Sequence, residues 1–136
     1  MIVADTSGLL ALFNPREPKH QDVSRAVARE PDPLVVSPYV VAELDYLVAT
    51  RHGVDAELAV LAELAGGAYH LAQLAIEDMR AMAELIDLYR DQDIGVADAS
   101  LVVLASRYRT RSILTLDHRH FTVVRPLDGG RFRLVP

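Results

Sequence analysis

Four acidic residues sit in apolar company, where ionised groups are least expected. Asp5 ends the run "IVAD", Glu43 lies in "VVAEL", Asp98 in "GVADASLVV" and Asp117 in "LTLDH". An ionised carboxylate among such neighbours is costly unless it is paired or bound to a cation. Each has a structural reading when taken alone: Asp98 as a helix N-cap, Glu43 as the partner of an arginine, Asp117 as the start of a turn. Four carboxylates gathered in one cleft would repel one another, and some would keep their protons at pH 7 unless a cation neutralised them. The chain has no cysteine, so the available donors are hard oxygens, which suit Mg²⁺ or Mn²⁺ better than zinc. His118 and His120 bracket Arg119 on what reads as a strand-like segment, and are expected to face substrate or solvent rather than to bind metal. A carboxylate-bound dication is suited to phosphodiester hydrolysis, because it polarises a phosphoryl oxygen and lowers the pKa of a bound water.

The elements that must position these acids alternate between strand and helix. Residues 2–4 are a short buried strand, and "SGLLALF" suits a helix over 7–13 with Thr6 or Ser7 at its start. Residues 19–29 form an amphipathic helix stopped by "EPDP", and "LVVS" is a second strand. Ser37-Pro38 opens a helix over 39–52, with proline in the first turn where its missing N–H costs nothing. Gly53 ends that helix, 55–65 forms another, and "YHLAQL" is a third strand. A helix over 77–91 places Met79, Met82, Ala83, Ile86 and Tyr89 on a core face. Residues 97–108 are helical with Leu101, Val102, Leu104 and Ala105 inward, and "SILTL" is a fourth strand ending on Asp117. Residues 122–125 and 131–135 are candidate short strands. This order predicts one α/β domain over residues 1–136, with a mostly parallel sheet flanked by helices on both faces. Ligands in such sheets bind at the carboxyl ends of the strands, where Asp5 and Asp117 fall.

Bulk composition narrows the class. With 136 residues, 51% hydrophobic and 24% charged, the chain is globular rather than disordered. No apolar run nears the ~18 residues of a membrane span, and no secretory signal is evident, so the expectation is a cytoplasmic protein with no membrane partner. The net charge of −5 conceals an asymmetry: residues 1–106 carry 17 acids and 7 bases, while residues 107–136 carry 7 arginines and 2 acids. Arginine's planar fork suits phosphate, so an acidic body with an arginine-rich end is consistent with metal in one place and nucleic acid beside it.

In order and spacing, "IVADTSGLLALF", "VVSPYVVAEL", "DIGVADASLVVLA" and "ILTLDHRHF" resemble the four motif blocks of the PIN-domain nucleases, and more narrowly the VapC toxins of bacterial toxin–antitoxin pairs. The resemblance runs from residue 2 to about 125. It implies a three-layer PIN-like fold and a Mg²⁺- or Mn²⁺-dependent endoribonuclease, usually dimeric and neutralised by a small VapB antitoxin. Asp5, Glu43, Asp98 and Asp117 match the family's acidic quartet, as both metal ligands and catalytic groups. Thr6 matches the hydroxyl residue that orders the site. The implied substrates are structured RNA loops, in tRNA or in the sarcin–ricin loop of 23S rRNA, with Arg107, Arg109, Arg111, Arg119 and Arg125 expected around the cleft. The antitoxin groove is expected between the helices at 7–13 and 39–65, where Leu9, Leu10 and Phe13 would receive a partner helix.

Rival readings lack their marks. A phosphorelay receiver needs a lysine after a late strand, but the only lysine is Lys19. An aspartyl-nucleophile phosphatase wants an acid two residues past the first, where Ser7 stands. A PIN-like RNA-binding module that does not cut would be marked by a missing acid, and none is missing.

Overall fold

The computed structural model describes residues 1–136. Five strands form one sheet: β1 (Val3–Ala4), β2 (Leu34–Val36), β3 (Tyr69–Leu71), β4 (Ser112–Leu114) and β5 (Arg133–Val135). All pairings are parallel and the spatial order is β3-β2-β1-β4-β5. Parallel pairing demands crossovers, which are supplied by α1 (Thr6–Phe13), α2 (His20–Ala28), α3 (Pro38–His52), α4 (Val54–Ala65), α5 (Ile76–Leu88), α6 (Val96–Arg107) and the single turn α7 (His118–Phe121). The three central strands are almost wholly buried, as continuous apolar runs covered on both faces must be. The edge strands β3 and β5 are open.

Local chemistry sets the helix boundaries. Ser37 caps α3 by accepting the Tyr39 N–H, Pro38 fills its first position, and Gly53 ends it at φ 87°. From Ala99 through Ala105 every side chain of α6 is buried, as expected for a helix apolar all round. Gly8 lets α1 lie on β4: a Cβ there would stand 2.6 Å from the Leu114 carbonyl oxygen.

Three sequence expectations change. Residues 122–125 are not a strand; only 133–135 pair, as edge strand β5. His118 and His120 lie on helix α7, so the expected strand face does not exist. On α5 Met82 and Leu85 are buried and Ile86 and Tyr89 pack partly against the core, whereas Met79, 47% exposed, and Ala83 face outward.

Candidate active site

The sheet register collects the polar residues. Ala4 pairs with Val36 on one side and Leu114 on the other. The next residue along each of these strands is therefore Asp5, Ser37 or Thr115, and the three form one row at the carboxyl edge. The chain leaves β1 toward β2 and β3, then returns to place β4 on the opposite flank of β1. Strand order thus reverses between β1 and β4, the point where open α/β sheets bind ligands.

Asp5 is 8% exposed. Its backbone N–H donates to the Leu114 carbonyl at 2.9 Å. Two hydroxyls donate to its Oδ2, Ser7 Oγ at 2.9 Å and Thr115 Oγ1 at 2.8 Å. Ser7 Oγ in turn accepts the Leu116 N–H, and Thr115 Oγ1 accepts that of Asp117. The holding hydroxyls are therefore Ser7 and Thr115, not Thr6. Sequence reading missed both; the signal available was the hydroxyl two places before Asp117 in "LTLD". Thr6 is buried and its Oγ1 has no hydrogen-bond partner, yet it lies near enough to Glu43 to favour that anion slightly.

Glu43 stands one turn into α3, and Asp98 is the third residue of α6. Desolvation raises the Glu43 carboxyl above its ordinary value, and the charges of Asp5 and Asp98 raise it further. Asp98 is raised in the same sense, by desolvation first and then by Asp5 and Asp117; the Gly95 N–H and the His120 imidazole oppose the shift. His120 Nδ1 lies 3.3 Å from Asp98 Oδ2. Asp117 goes the other way. Arg119 grips it with Nε at 3.1 Å and Nη2 at 2.8 Å, and its backbone N–H adds a third bond as Asp117 caps α7. These bonds hold the Asp117 carboxyl down at about 2.

The four acids therefore share one electrostatic neighbourhood. No three of the carboxylates and imidazoles stand close enough to ligate a single ion as they are, so the expected ligand quartet is not preassembled. Like charges hold one another apart, and Asp117 and Asp98 are engaged with Arg119 and His120. The donor set still fits a hard dication: it is all oxygen, two members are destabilised as anions, and an unpartnered Thr6 hydroxyl lies beside them.

The arginines divide. Arg119 is at the cleft. Arg107 is not: it binds the Gln73 carbonyl and Asp78, tying α6 to the start of α5. Arg109 and Arg111 follow the far end of α6 and precede β4, at the amino edge of the sheet, and Arg111 pairs with Asp128. The expectation that these three ring the cleft is corrected, because nine residues of helix carry the chain about 14 Å away from Asp98. Arg125 is exposed beyond α7, its backbone N–H on Tyr89 Oη.

Leu9 is fully buried, so it belongs to the core and presents nothing to a partner. Leu10 and Phe13 do line a groove of about 280 Å³, with Val48, Ala56 and Val60 from α3 and α4. A larger concavity of about 740 Å³ lies between α2 and β5, and none of the four acids lines it.

Residues 2–125 match the PIN domain. The chain is 60% identical over 135 residues to ribonuclease VapC26 of Mycobacterium tuberculosis, covering 99% of this chain and 100% of that protein. It also superposes on M. tuberculosis VapC20, described as a sarcin–ricin loop cleaving toxin, with a TM-score of 0.79 at 20% identity over 87% of this chain and 91% of that one. A toxin–antitoxin complex from Klebsiella pneumoniae gives 0.65 at 18% identity over 91% and 92%. The chain belongs to the PIN-domain family and, within it, to the VapC ribonucleases.

Proposed function

We propose that this VapC ribonuclease is a Mg²⁺- or Mn²⁺-dependent endoribonuclease that cuts a structured RNA loop and is silenced by a VapB-type antitoxin. The observation that carries this reading is the gathering of Asp5, Glu43, Asp98 and Asp117 at the strand-order reversal, with two of them pushed toward neutrality by burial and by one another. Asp5, Glu43 and Asp98 would hold the cation, and Asp117 would join when Arg119 turns away. When bound, the cation would supply charge neutralisation and activation of water for attack on phosphorus. The chain's own contribution is geometric. Ser7 and Thr115 hold one oxygen of Asp5 and leave the other for ligation. The Arg119 guanidinium, 82% exposed, would meet an RNA phosphate at the rim of the cleft.

By likeness to other VapC proteins, the substrate would be an exposed loop in tRNA or the sarcin–ricin loop of 23S rRNA, recognised by shape and unstacked bases. The apolar groove of Leu10, Phe13, Val48 and Val60 suits an amphipathic antitoxin segment. A homodimer is the expected assembly. No helix is long and apolar enough to cross a membrane.

The test is cleavage of total bacterial RNA by the purified protein with Mg²⁺ or Mn²⁺, beside Asp98→Asn and EDTA controls, with the cut ends mapped. Discrete cuts lost in both controls are expected. RNA binding without metal-dependent cutting would replace this reading by a non-cleaving RNA-binding module.

A further inference from the structure

Two fully buried serines join the helices that carry Glu43 and Asp98. Ser37 Oγ and Ser100 Oγ stand 2.7 Å apart, and both residues are fully buried. Ser37 follows β2 in the row of Asp5 and Thr115 and caps α3, six residues before Glu43. Ser100 lies in α6, two residues beyond Asp98.

Their donor order is fixed by their other partners. Ser37 Oγ accepts the Tyr39 N–H at 3.2 Å, and Ser100 Oγ donates to the Ala97 carbonyl at 2.6 Å. The hydroxyl proton of Ser37 is therefore given to Ser100, making one chain from the first turn of α3 to the first turn of α6. No other hydrogen bond joins these two segments.

We propose that Ser37 and Ser100 form a clasp that sets the gap between Glu43 and Asp98 and so fixes the width of the cation site, with Ser100 a positioning residue for phosphodiester cleavage. This rests on the metal-dependent reading above. Groups that orient metal ligands from behind typically change metal affinity 10–100-fold when removed. The clasp differs from ordinary core polarity because its two ends belong to the two ligand-bearing helices.

The experiment is calorimetric titration of Mn²⁺ into the whole protein, free of RNA, for wild type, Ser37→Ala, Ser100→Ala and the double variant. Circular dichroism checks that each variant folds. Ser112→Ala is the control: Ser112 is also buried and hydrogen-bonded, to the Arg133 guanidinium, but at the amino edge of the sheet. A loss of Mn²⁺ affinity of tenfold or more is expected in Ser100→Ala, with the double variant little worse than either single one and Ser112→Ala unchanged. Ser37→Ala also loses a helix cap, so Ser100→Ala is the decisive variant. Wild-type affinity in folded Ser100→Ala, or an equal loss in Ser112→Ala, would overturn the clasp and leave the metal reading intact. Absence of Mn²⁺ binding by the wild type would overturn both.

Discussion

Replacing Gly8 by alanine adds one methyl group at the point where α1 touches β4. The new Cβ would lie 2.6 Å from the Leu114 oxygen, 2.7 Å from its Cγ and 3.0 Å from its carbonyl carbon. Leu114 is fully buried in a paired strand, so it has nowhere to go. The helix must retreat by about 0.8 Å to reach the 3.4 Å of ordinary contact. The struck oxygen is also the acceptor for the Asp5 N–H, and Thr115 Oγ1 holds the Asp5 carboxylate at 2.8 Å. Any part of that retreat passed back to Asp5 lengthens this second bond and weakens it. Overpacking costs about 1–3 kcal/mol, and losing a hydrogen bond to a charged group about 1.5–3 kcal/mol. Better helix propensity returns about 1 kcal/mol. A net loss of about 1.5–5 kcal/mol is expected, which lowers the urea midpoint by about 1–3 M. Ribonuclease activity should fall by about 10²-fold, since a misplacement near 1 Å has that effect. Gly95→Ala is the control: nothing lies within 4 Å of its added Cβ and its φ is −102°, so the unfolded-state gain and alanine's poorer fit at the α6 N-cap should leave stability within about 0.5 kcal/mol of wild type. A Gly8→Ala protein with an unchanged midpoint and slope would refute the claim that this contact seats Asp5.

Thr115→Val keeps the shape but leaves the Asp117 N–H unpaired and Asp5 with one donor fewer; a loss of about 2–4 kcal/mol in urea unfolding is expected, together with weaker Mn²⁺ binding by calorimetry. Glu43→Gln should stabilise the metal-free protein at pH 7. The folded state holds the Glu43 proton more tightly than the unfolded chain does, so ionisation costs stability above the folded pKa and nothing below the ordinary value of 4.5. The gain should vanish in melts run below that pH, and saturating Mg²⁺ should reverse the ranking. Asp117 acts in the opposite sense: its Arg119 contact adds stability above the ordinary 3.8 that is lost as pH falls through about 2, so acid titration of Arg119→Ala should show a smaller loss in that window. Arg119→Ala should also weaken RNA binding and reduce its salt slope by about 0.7 for one single-strand phosphate. Arg107→Ala should lower thermal stability and leave RNA binding alone, because its guanidinium is spent on Gln73 and Asp78.

The sequence by itself determined which residues could do chemistry and where most elements fall. Asp5, Glu43, Asp98 and Asp117 stood out because each has apolar neighbours in sequence, although the fold buries Asp5 alone, half-buries Asp98 and Asp117, and leaves Glu43 exposed. The buried strands "LVV" and "SIL" and the limits set by Pro38 and Gly53 were legible too, since capping and periodicity are local. Only the tertiary structure decided which groups meet. Helix α6 runs back along the sheet, so Arg107 ends at the opposite edge from Asp98 although both lie on one helix. Strand register placed Thr115 and Ser37 beside Asp5 across separations of 110 and 32 residues, and no local pattern encodes such a partner. Leu9 and Leu10 are adjacent in sequence and alike in type; one is core and the other lines a groove because a helix turns 100° between them. Residue type is a property of the chain, whereas a contact is a property of the path the chain takes back across its own sheet.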